Sequence, residues 1–264
     1  MTSTGRSRLL RVPVSELESG EVWLGEQAAR YAVRVHRLEP GQRFVVFDPA
    51  AELEADAELL RVDARSGRGR GAVAALVRVG LPRPPSVRAA RDVTLVQGLA
   101  KGSKLDAIVR DATELGCTRI ATAICERSVR RGSGRSGLPR RLHRIAVEAA
   151  RQCGRGDAPC IDPPRQLGEV LDHLLPPGAS RVGVCMNPWG EEALGEVLRR
   201  AAPSAAVVIV VGPEGGLSEA ELAHATAVGY RQAHLGPSVL RTETVCAAAL
   251  GAVLAWAPWP ASPP

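Results

Sequence analysis

A run of β-branched residues from Val207 to Val211 stops at Gly212-Pro213-Glu214-Gly215-Gly216, and a helix start follows at once. Ser218, with Glu221 three residues on, has the form of a capping box. A buried strand that feeds a glycine-rich turn and then a helix N-terminus confines the chain to α/β architectures, which bind ligands at such places. Gly212, Gly215 and Gly216 let a ligand approach the main chain closely and tolerate positive φ. Taken alone, the turn also reads as a plain strand–helix connection. A second turn of similar kind lies further on, at LGPSVLRTET, Leu235 to Thr244. There Thr242 reads as the N-cap of a final helix and Glu243 as a first-turn acid. Arg241 is out of keeping, because a cation beside a helix N-terminus opposes the macrodipole and so points to an anionic ligand or partner.

The rest of the chain divides in two. Up to about residue 80, short apolar runs (Leu9 to Val14, Tyr31 to Val35, Arg43 to Phe47, Ala72 to Val79) alternate with turn signals such as Glu39-Pro40-Gly41 and Asp48-Pro49. This spacing predicts a small β-barrel over 1–84. The segment from Ala50 to Gly71 is rich in charge and glycine, and its ends are hard to place. Three prolines in LPRPPSVRAA, Leu81 to Ala90, predict a semi-rigid linker. From 91 to 264 strand and helix alternate. Strands are expected at Val93 to Gln97, Arg119 to Ile124, Val182 to Met186, Val207 to Val211 and Gln232 to Leu235. Ser103 is expected to cap a helix whose buried face carries Leu105, Ile108, Val109, Ala112 and Leu115, with Gly116 as its stop. Further helices are expected from about Pro139 to Gln152 and from about Glu243 to Trp256. Alternation of this kind implies a parallel sheet with helices on both faces.

Composition narrows the function. The formal net charge is +6, and all basic residues but Lys101 and Lys104 are arginines. Nine arginines and one acid, Glu148, fall between Arg127 and Arg155. Planar guanidinium forks suit phosphate, although a solvated basic face gives the same pattern. Aromatic content of 3% argues against a stacking platform for single-stranded bases. The six cysteines form no C-x-x-C pair, and no H-E-x-x-H is present, so no metal is expected. The phosphate-binding G-x-x-x-x-G-K-[ST] loop is missing, and no G-x-G-x-x-G follows the first strand, which speaks against nucleotide hydrolysis and dinucleotide binding. No apolar run approaches the ~20 residues of a membrane span. With no secretory h-region either, a cytoplasmic protein is expected.

GPEGGLSEAE followed by LGPSVLRTETVCAAAL resembles the signature of the RsmE family, in the SPOUT superfamily of RNA methyltransferases. KGSKLDAIVRDATELGCTRI (Lys101 to Ile120), ERSV (Glu126 to Val129), EAARQCGR (Glu148 to Arg155) and YAVRVHRLEPGQRFVVFD (Tyr31 to Asp48) match further family blocks in the same order. The resemblance implies a C-terminal SPOUT domain with a parallel sheet and a deep trefoil knot, plus an N-terminal PUA-like β-barrel that binds RNA. It implies methylation of N3 of one uridine near the 3′ end of 16S rRNA in the small subunit, with S-adenosylmethionine, by a homodimer. The cofactor residues it implies are Met186, Val211, Gly212, Pro213, Glu214, Gly215, Gly216, Leu235, Gly236, Val239, Leu240, Arg241 and Thr242. The RNA contacts expected are Arg34, Arg37, Lys101, Lys104, Arg127, Arg130, Arg131 and Arg155. The chain departs from the family pattern at Arg30-Tyr31 (a histidine is usual), His36 (leucine), Asp111 (lysine) and Arg151 (glutamate). A non-catalytic RNA-binding assembly factor, or a SPOUT methyltransferase with another RNA target, are the competing readings.

Uracil N3 carries a proton that must leave before or during attack. A methyl sulfonium needs no metal, and positioning for in-line displacement supplies most of the help. Arg241 is expected to orient the uracil or its phosphate and to stabilise the developing anion. Glu243 is the leading candidate for the general base and Glu214 the second; support of loop and helix geometry is the alternative role for both acids.

Overall fold

The structure, a computed structural model, describes residues 9–64, 73–128, 137–174, 181–202 and 204–256. The chain forms two compact units, one of residues 1–88 with 150–157, the other of residues 89–149 with 158–264.

The first unit is built on a five-stranded sheet in the order β1-β3-β4-β5-β2. Its strands are β1 (Arg11–Pro13), β2 (Gly20–Trp23), β3 (Arg43–Asp48), β4 (Leu53–Ala64) and β5 (Val73–Val79). Strands β3, β4, β5 and β2 pair antiparallel in sequence, and β1 joins β3 in parallel. β4 lies in the segment whose charge hid it from the sequence reading. Ala55, Ala57 and Leu59 are buried while Asp56 between them is exposed, the period of a half-buried strand. Tyr31 to Val35, expected as a strand, is instead a π-helical turn (Arg30–Val35) that continues helix α1 (Glu26–Ala29). Ala28, Ala29 and Ala32 explain the change: their helical spacing buries all three, whereas Val35 is 61% exposed. Three of the departures from the family pattern meet in this unit. The Arg151 guanidinium lies 4.4 Å from the Tyr31 ring centroid, and the Tyr31 hydroxyl is 2.6 Å from His36 Nε2.

The second unit holds a seven-stranded sheet, β10-β12-β9-β11-β6-β7-β8, in which every pairing is parallel. Its strands are β6 (Val93–Gly98), β7 (Arg119–Ile124), β8 (Cys160–Gln166), β9 (Arg181–Met186), β10 (Glu192–Ala193), β11 (Ala206–Val211) and β12 (Arg231–His234). The helices are α2 (Lys104–Glu114), α3 (Leu138–Cys153), α4 (Leu167–Leu174), α5 (Leu194–Arg200), α6 (Glu219–Ala227) and α7 (Thr242–Trp256). Alternate residues of β11 feed opposite faces. Val207, Ile209 and Val211 pack with residues of α2, α3, α5 and α7, while Val208 and Val210 pack with residues of α4 and α6. Such two-sided burial produces the near-continuous apolar runs of a parallel sheet. β8 escaped the sequence reading because of Pro163 and Pro164, which a sheet tolerates at its edge, where β8 lies.

One crossing shapes the end of the domain. β12 lies between β9 and β10, although β10 precedes it in the chain by a helix, a strand and another helix. The connection from β9 to β10 therefore passes β12. The Asn187 N–H donates to Ala233 O (2.9 Å), and a Cβ at Gly190 would lie 2.9 Å from the Ala233 nitrogen. Only glycine fits so close to a neighbouring main chain.

Candidate cofactor and active site

The carboxyl ends of β6, β11, β9 and β12 stand side by side in the sheet, and both glycine turns leave from this edge. The next-to-last residue of β6 is Gln97, a polar side chain that is wholly buried. Gln97 Nε2 lies 2.8 Å from Gly98 O, 3.1 Å from Thr242 Oγ1 and 3.4 Å from Gly212 O, and Gln97 Oε1 accepts from the Cys246 thiol (2.7 Å). The Thr242 hydroxyl donates to Gly212 O (2.8 Å). Burial holds the Cys246 thiol well above its ordinary pKa, so it serves as a neutral donor. This knot of polar groups ties the two turns to β6, and each buried group in it has a partner, as burial requires.

Thr242 is therefore not an N-cap. It is the first residue of α7, buried, with its hydroxyl turned to Gly212. It builds the wall between the turns. Ser103 stands at the start of α2 but forms no side-chain cap. Ser218 does cap α6: its Oγ accepts from the Glu221 N–H, and the Glu221 carboxylate accepts from the Ser218 N–H. The other Glu221 oxygen accepts from the Glu126 N–H (2.8 Å), which fastens the ERS segment to the first turn. Arg127 adds a second tie by donating from Nη1 to Gly215 O (3.1 Å).

The glycines of the first turn are required by contact. A Cβ at Gly212 would lie 3.0 Å from the Gly216 carbonyl carbon and 3.1 Å from Leu217, and one at Gly215 would lie 3.1 Å from Arg127 Cβ. Gly216 takes φ +70°, and Gly236 in the second turn takes φ +138°. Met186 and Val211 are the last residues of β9 and β11, and Leu235 follows the last residue of β12. Pro213 is buried, Leu240 half-buried, and Val239 and Arg241 exposed. No carboxylate pairs with Arg241 among the described residues, which leaves a cation at the N-terminus of α7.

The two acids that the sequence singles out are joined by a residue assigned there to RNA. Lys104 Nζ lies 3.4 Å from Glu214 Oε1 and 3.4 Å from Glu243 Oε2. Glu214 Oε1 also accepts from the Lys101 N–H (3.0 Å). Burial alone would raise the Glu214 carboxyl, but the N–H groups of Lys101 and of Glu214 itself, with the Lys104 ammonium, outweigh it and hold the carboxyl below its ordinary pKa. Glu243 Oε2 is enclosed and makes no hydrogen bond, so Lys104 faces it only through charge.

Among the RNA contacts read from the sequence, Arg34 and Arg37 are exposed on the first unit, and Lys101 and Arg127 are exposed on the second. Arg155 is a correction. It is 3% exposed and ion-paired with Asp157, and its carbonyl takes a hydrogen bond from Arg11. Arginine density along a sequence does not separate a buried pair from a basic face. Arg130 and Arg131 lie outside the described residues. Sequence reading missed Gln97, Gly98 and Cys246, although a glutamine and a glycine ending an apolar run are a signal of the same kind as Gly212.

Replacing Thr242 with valine keeps the shape and deletes the hydroxyl that joins Gly212 to Gln97. The variant is expected to lose ~1–3 kcal/mol, the cost of stranding buried polar groups. Urea unfolding of the two proteins measures this directly, and equal midpoints would show the hydroxyl to be dispensable.

The RNA methyltransferase domain family matches residues 88–254. Ribosomal RNA small subunit methyltransferase E from Mycobacterium bovis is 33% identical over 84% of this chain and 82% of its own length. The protein of the same name from Synechocystis is 30% identical over 93% of this chain and 76% of its own. Among solved structures, ribosomal RNA small subunit methyltransferase E from Neisseria gonorrhoeae bound to S-adenosyl methionine matches with a TM-score of 0.82 and 27% identity, covering 95% of this chain and 98% of that one. With a family match over most of its length and relatives at this identity and coverage, the chain belongs to the ribosomal RNA small subunit methyltransferase E family of RNA methyltransferases.

Proposed function

We propose that the protein transfers the methyl group of S-adenosylmethionine to N3 of one uridine near the 3′ end of 16S rRNA, in the cytoplasm, with the small-subunit particle as substrate and a homodimer as the working form. The observation that carries this reading is the tying of the two glycine turns to each other through Thr242 and Gly212, and through Lys104, at the carboxyl edge of a parallel sheet. The residues suit this cofactor. Gly215 and Gly216 expose main chain for hydrogen bonding, and Lys104, Glu214 and Glu243 together leave one net negative charge to receive a cation. When bound, the sulfonium supplies an electrophilic methyl group. In this reading the main chain from Val211 to Gly216 and from Leu235 to Leu240, with Met186, holds the cofactor. Arg241 orients the uracil, and Glu243 takes the N3 proton.

The passage of the β9–β10 connection across β12, with Gly190 against the Gln232–Ala233 main chain, supports a trefoil-knotted SPOUT domain over 91–264. The five-stranded sheet, with exposed Arg34 and Arg37, supports a PUA-like RNA-binding domain over 1–84. Among the described residues no helix is long and apolar enough to cross a membrane, and no group of side chains could hold a metal ion.

The test is incubation of unmethylated small subunits with protein and S-adenosylmethionine, followed by nucleoside mass spectrometry and mapping. One 3-methyluridine near the 3′ end is expected. Methyl transfer to a different base would overturn the assigned target, and cofactor binding with no transfer to any RNA would favour a non-catalytic assembly factor. Affinity for the subunit is expected to fall steeply with salt, and Arg34→Ala or Arg37→Ala to reduce the log–log slope by about one each. A flat dependence would remove these arginines from the RNA interface.

A further inference from the structure

We infer that Lys104 is a positioning residue shared between Glu214 and Glu243, one that holds the Glu243 carboxylate in place by charge until it accepts the uracil proton and then rests on Glu214. The inference builds on Glu243 as the base. Its ground is geometric: one ammonium stands 3.4 Å from a carboxylate on each of the two turns. The two acids differ in what else holds them. Glu214 Oε1 is fixed by the Lys101 N–H, whereas Glu243 Oε2 is enclosed and has no hydrogen bond. Glu214 is thus the permanent anchor for Lys104, while the Glu243 side chain, with Oε2 enclosed beside Lys104, is 27% exposed and so leaves its other oxygen for a donor.

The step balances without a further reagent. The N3–H bond breaks, and its proton goes to the Glu243 carboxylate, on the oxygen turned away from Lys104. The nitrogen pair forms the bond to the methyl carbon, and the carbon–sulfur pair returns to sulfur, leaving a neutral thioether. Glu243 is neutral after the step. A lysine held by Glu243 alone would then be left without a counter-charge, and Glu214 supplies it.

The charged and titratable groups around Glu243 are few. α2 contributes Lys104, Asp111 (paired with Arg110) and Asp106 (paired with Arg141). The first turn contributes Glu214, and Arg241 precedes α7. The neutral Cys246 thiol is held by Gln97. On α5, Glu196 and Arg199 pair with each other, and Arg200 reaches Glu192. Lys104 is the one cation of this set within ion-pair distance of Glu243 among the described residues.

The experiment is the pH dependence of kcat for the wild type, Lys104→Met, Lys104→Arg, Glu214→Gln and Glu243→Gln, with cofactor affinity and Tm as checks on folding. Removing the cation raises the pKa of the carboxylate it faces, so Lys104→Met is expected to move the acidic limb up by about one pH unit. Below the limb this is about a tenfold loss of kcat, recovered at higher pH. Glu214→Gln releases Lys104 to Glu243 alone and is expected to move the limb down, and Lys104→Arg to return it towards the wild type. Carboxyl-carbon NMR of Glu243 follows the same shifts without turnover. If Lys104→Met and Glu214→Gln leave the limb in place, or move it the same way, the shared-lysine role is overturned while Glu243 stands as the base. If Glu243→Gln turns over normally, the base assignment itself has failed, and the role of Lys104 fails with it.

Discussion

Turnover by the Glu243→Gln variant is expected to fall by ~10²–10⁴-fold, the usual contribution of a positioned base, with S-adenosylmethionine affinity within about threefold of wild type. Glutamine keeps the size of the side chain and an oxygen for Lys104, but it cannot take a proton at neutral pH. The case for Glu243 over Glu214 rests on their surroundings. Glu214 already accepts from the Lys101 N–H and faces Lys104, and these contacts hold its carboxyl below its ordinary pKa, which weakens it as a base. Glu243 faces Lys104 through the enclosed Oε2, which takes no hydrogen bond, and its side chain is 27% exposed, which leaves the other oxygen for a substrate donor. Single-turnover methylation of small subunits, with cofactor binding measured in parallel, decides the matter. Near-normal rates in Glu243→Gln and a collapse in Glu214→Gln would exchange the two roles.

The second large effect is expected at Gly98, where β6 meets the first turn. A Cβ there would lie 2.6 Å from both Cδ and the nitrogen of Pro213, and 3.0 Å from the Gly212 carbonyl carbon. A proline ring and a main chain cannot rotate away, so either the end of β6 or the GPEGG turn must shift. Gly98→Ala is expected to cost ~1–3 kcal/mol in stability, as overpacking does. Because the turn that moves is the proposed cofactor wall, affinity for S-adenosylmethionine is expected to weaken about tenfold or more, equivalent to ~1.4 kcal/mol. Calorimetric titration together with thermal unfolding tests both parts. An alanine variant with wild-type Tm and affinity would show that the contact relaxes freely.

The sequence revealed structure where local pattern and tertiary environment agree. Val93 to Gln97, Arg119 to Ile124 and Val207 to Val211 are buried on both faces, so apolar runs alone mark them, and the capping box at Ser218 is self-contained. β4 was lost because its solvent-facing positions carry acids densely enough to hide Ala55, Ala57 and Leu59. The stretch from Tyr31 to Val35 misled because a short apolar run with two valines resembles a strand, while the helical spacing of Ala28, Ala29 and Ala32 involves small side chains that weigh little. In the site, the glycine turns were legible because glycine is needed locally. The ties between them were not. Gln97 and Thr242 are 145 residues apart, and nothing near either one announces the other. Lys104 shows the same limit: the sequence places it among the expected RNA contacts, and only the fold brings Glu214 and Glu243 to it. Arg155 was misread for the converse reason, since its partner Asp157 lies two residues away and burial cannot be read from spacing.

The polar knot of Gln97, Gly212, Thr242 and Cys246 also fixes when the protein becomes an enzyme. During synthesis β6 and the first turn emerge early, with Gln97 lacking its last partners and the two turns untied. The wall closes only after the opening residues of α7 have been made, because Thr242 and Cys246 belong to that final helix. Domains fold as the chain emerges, yet here the pocket waits for nearly the whole chain. A translation product interrupted before α7 would lack Thr242 and Cys246, and with them the tie between the two turns on which the proposed methyl transfer depends.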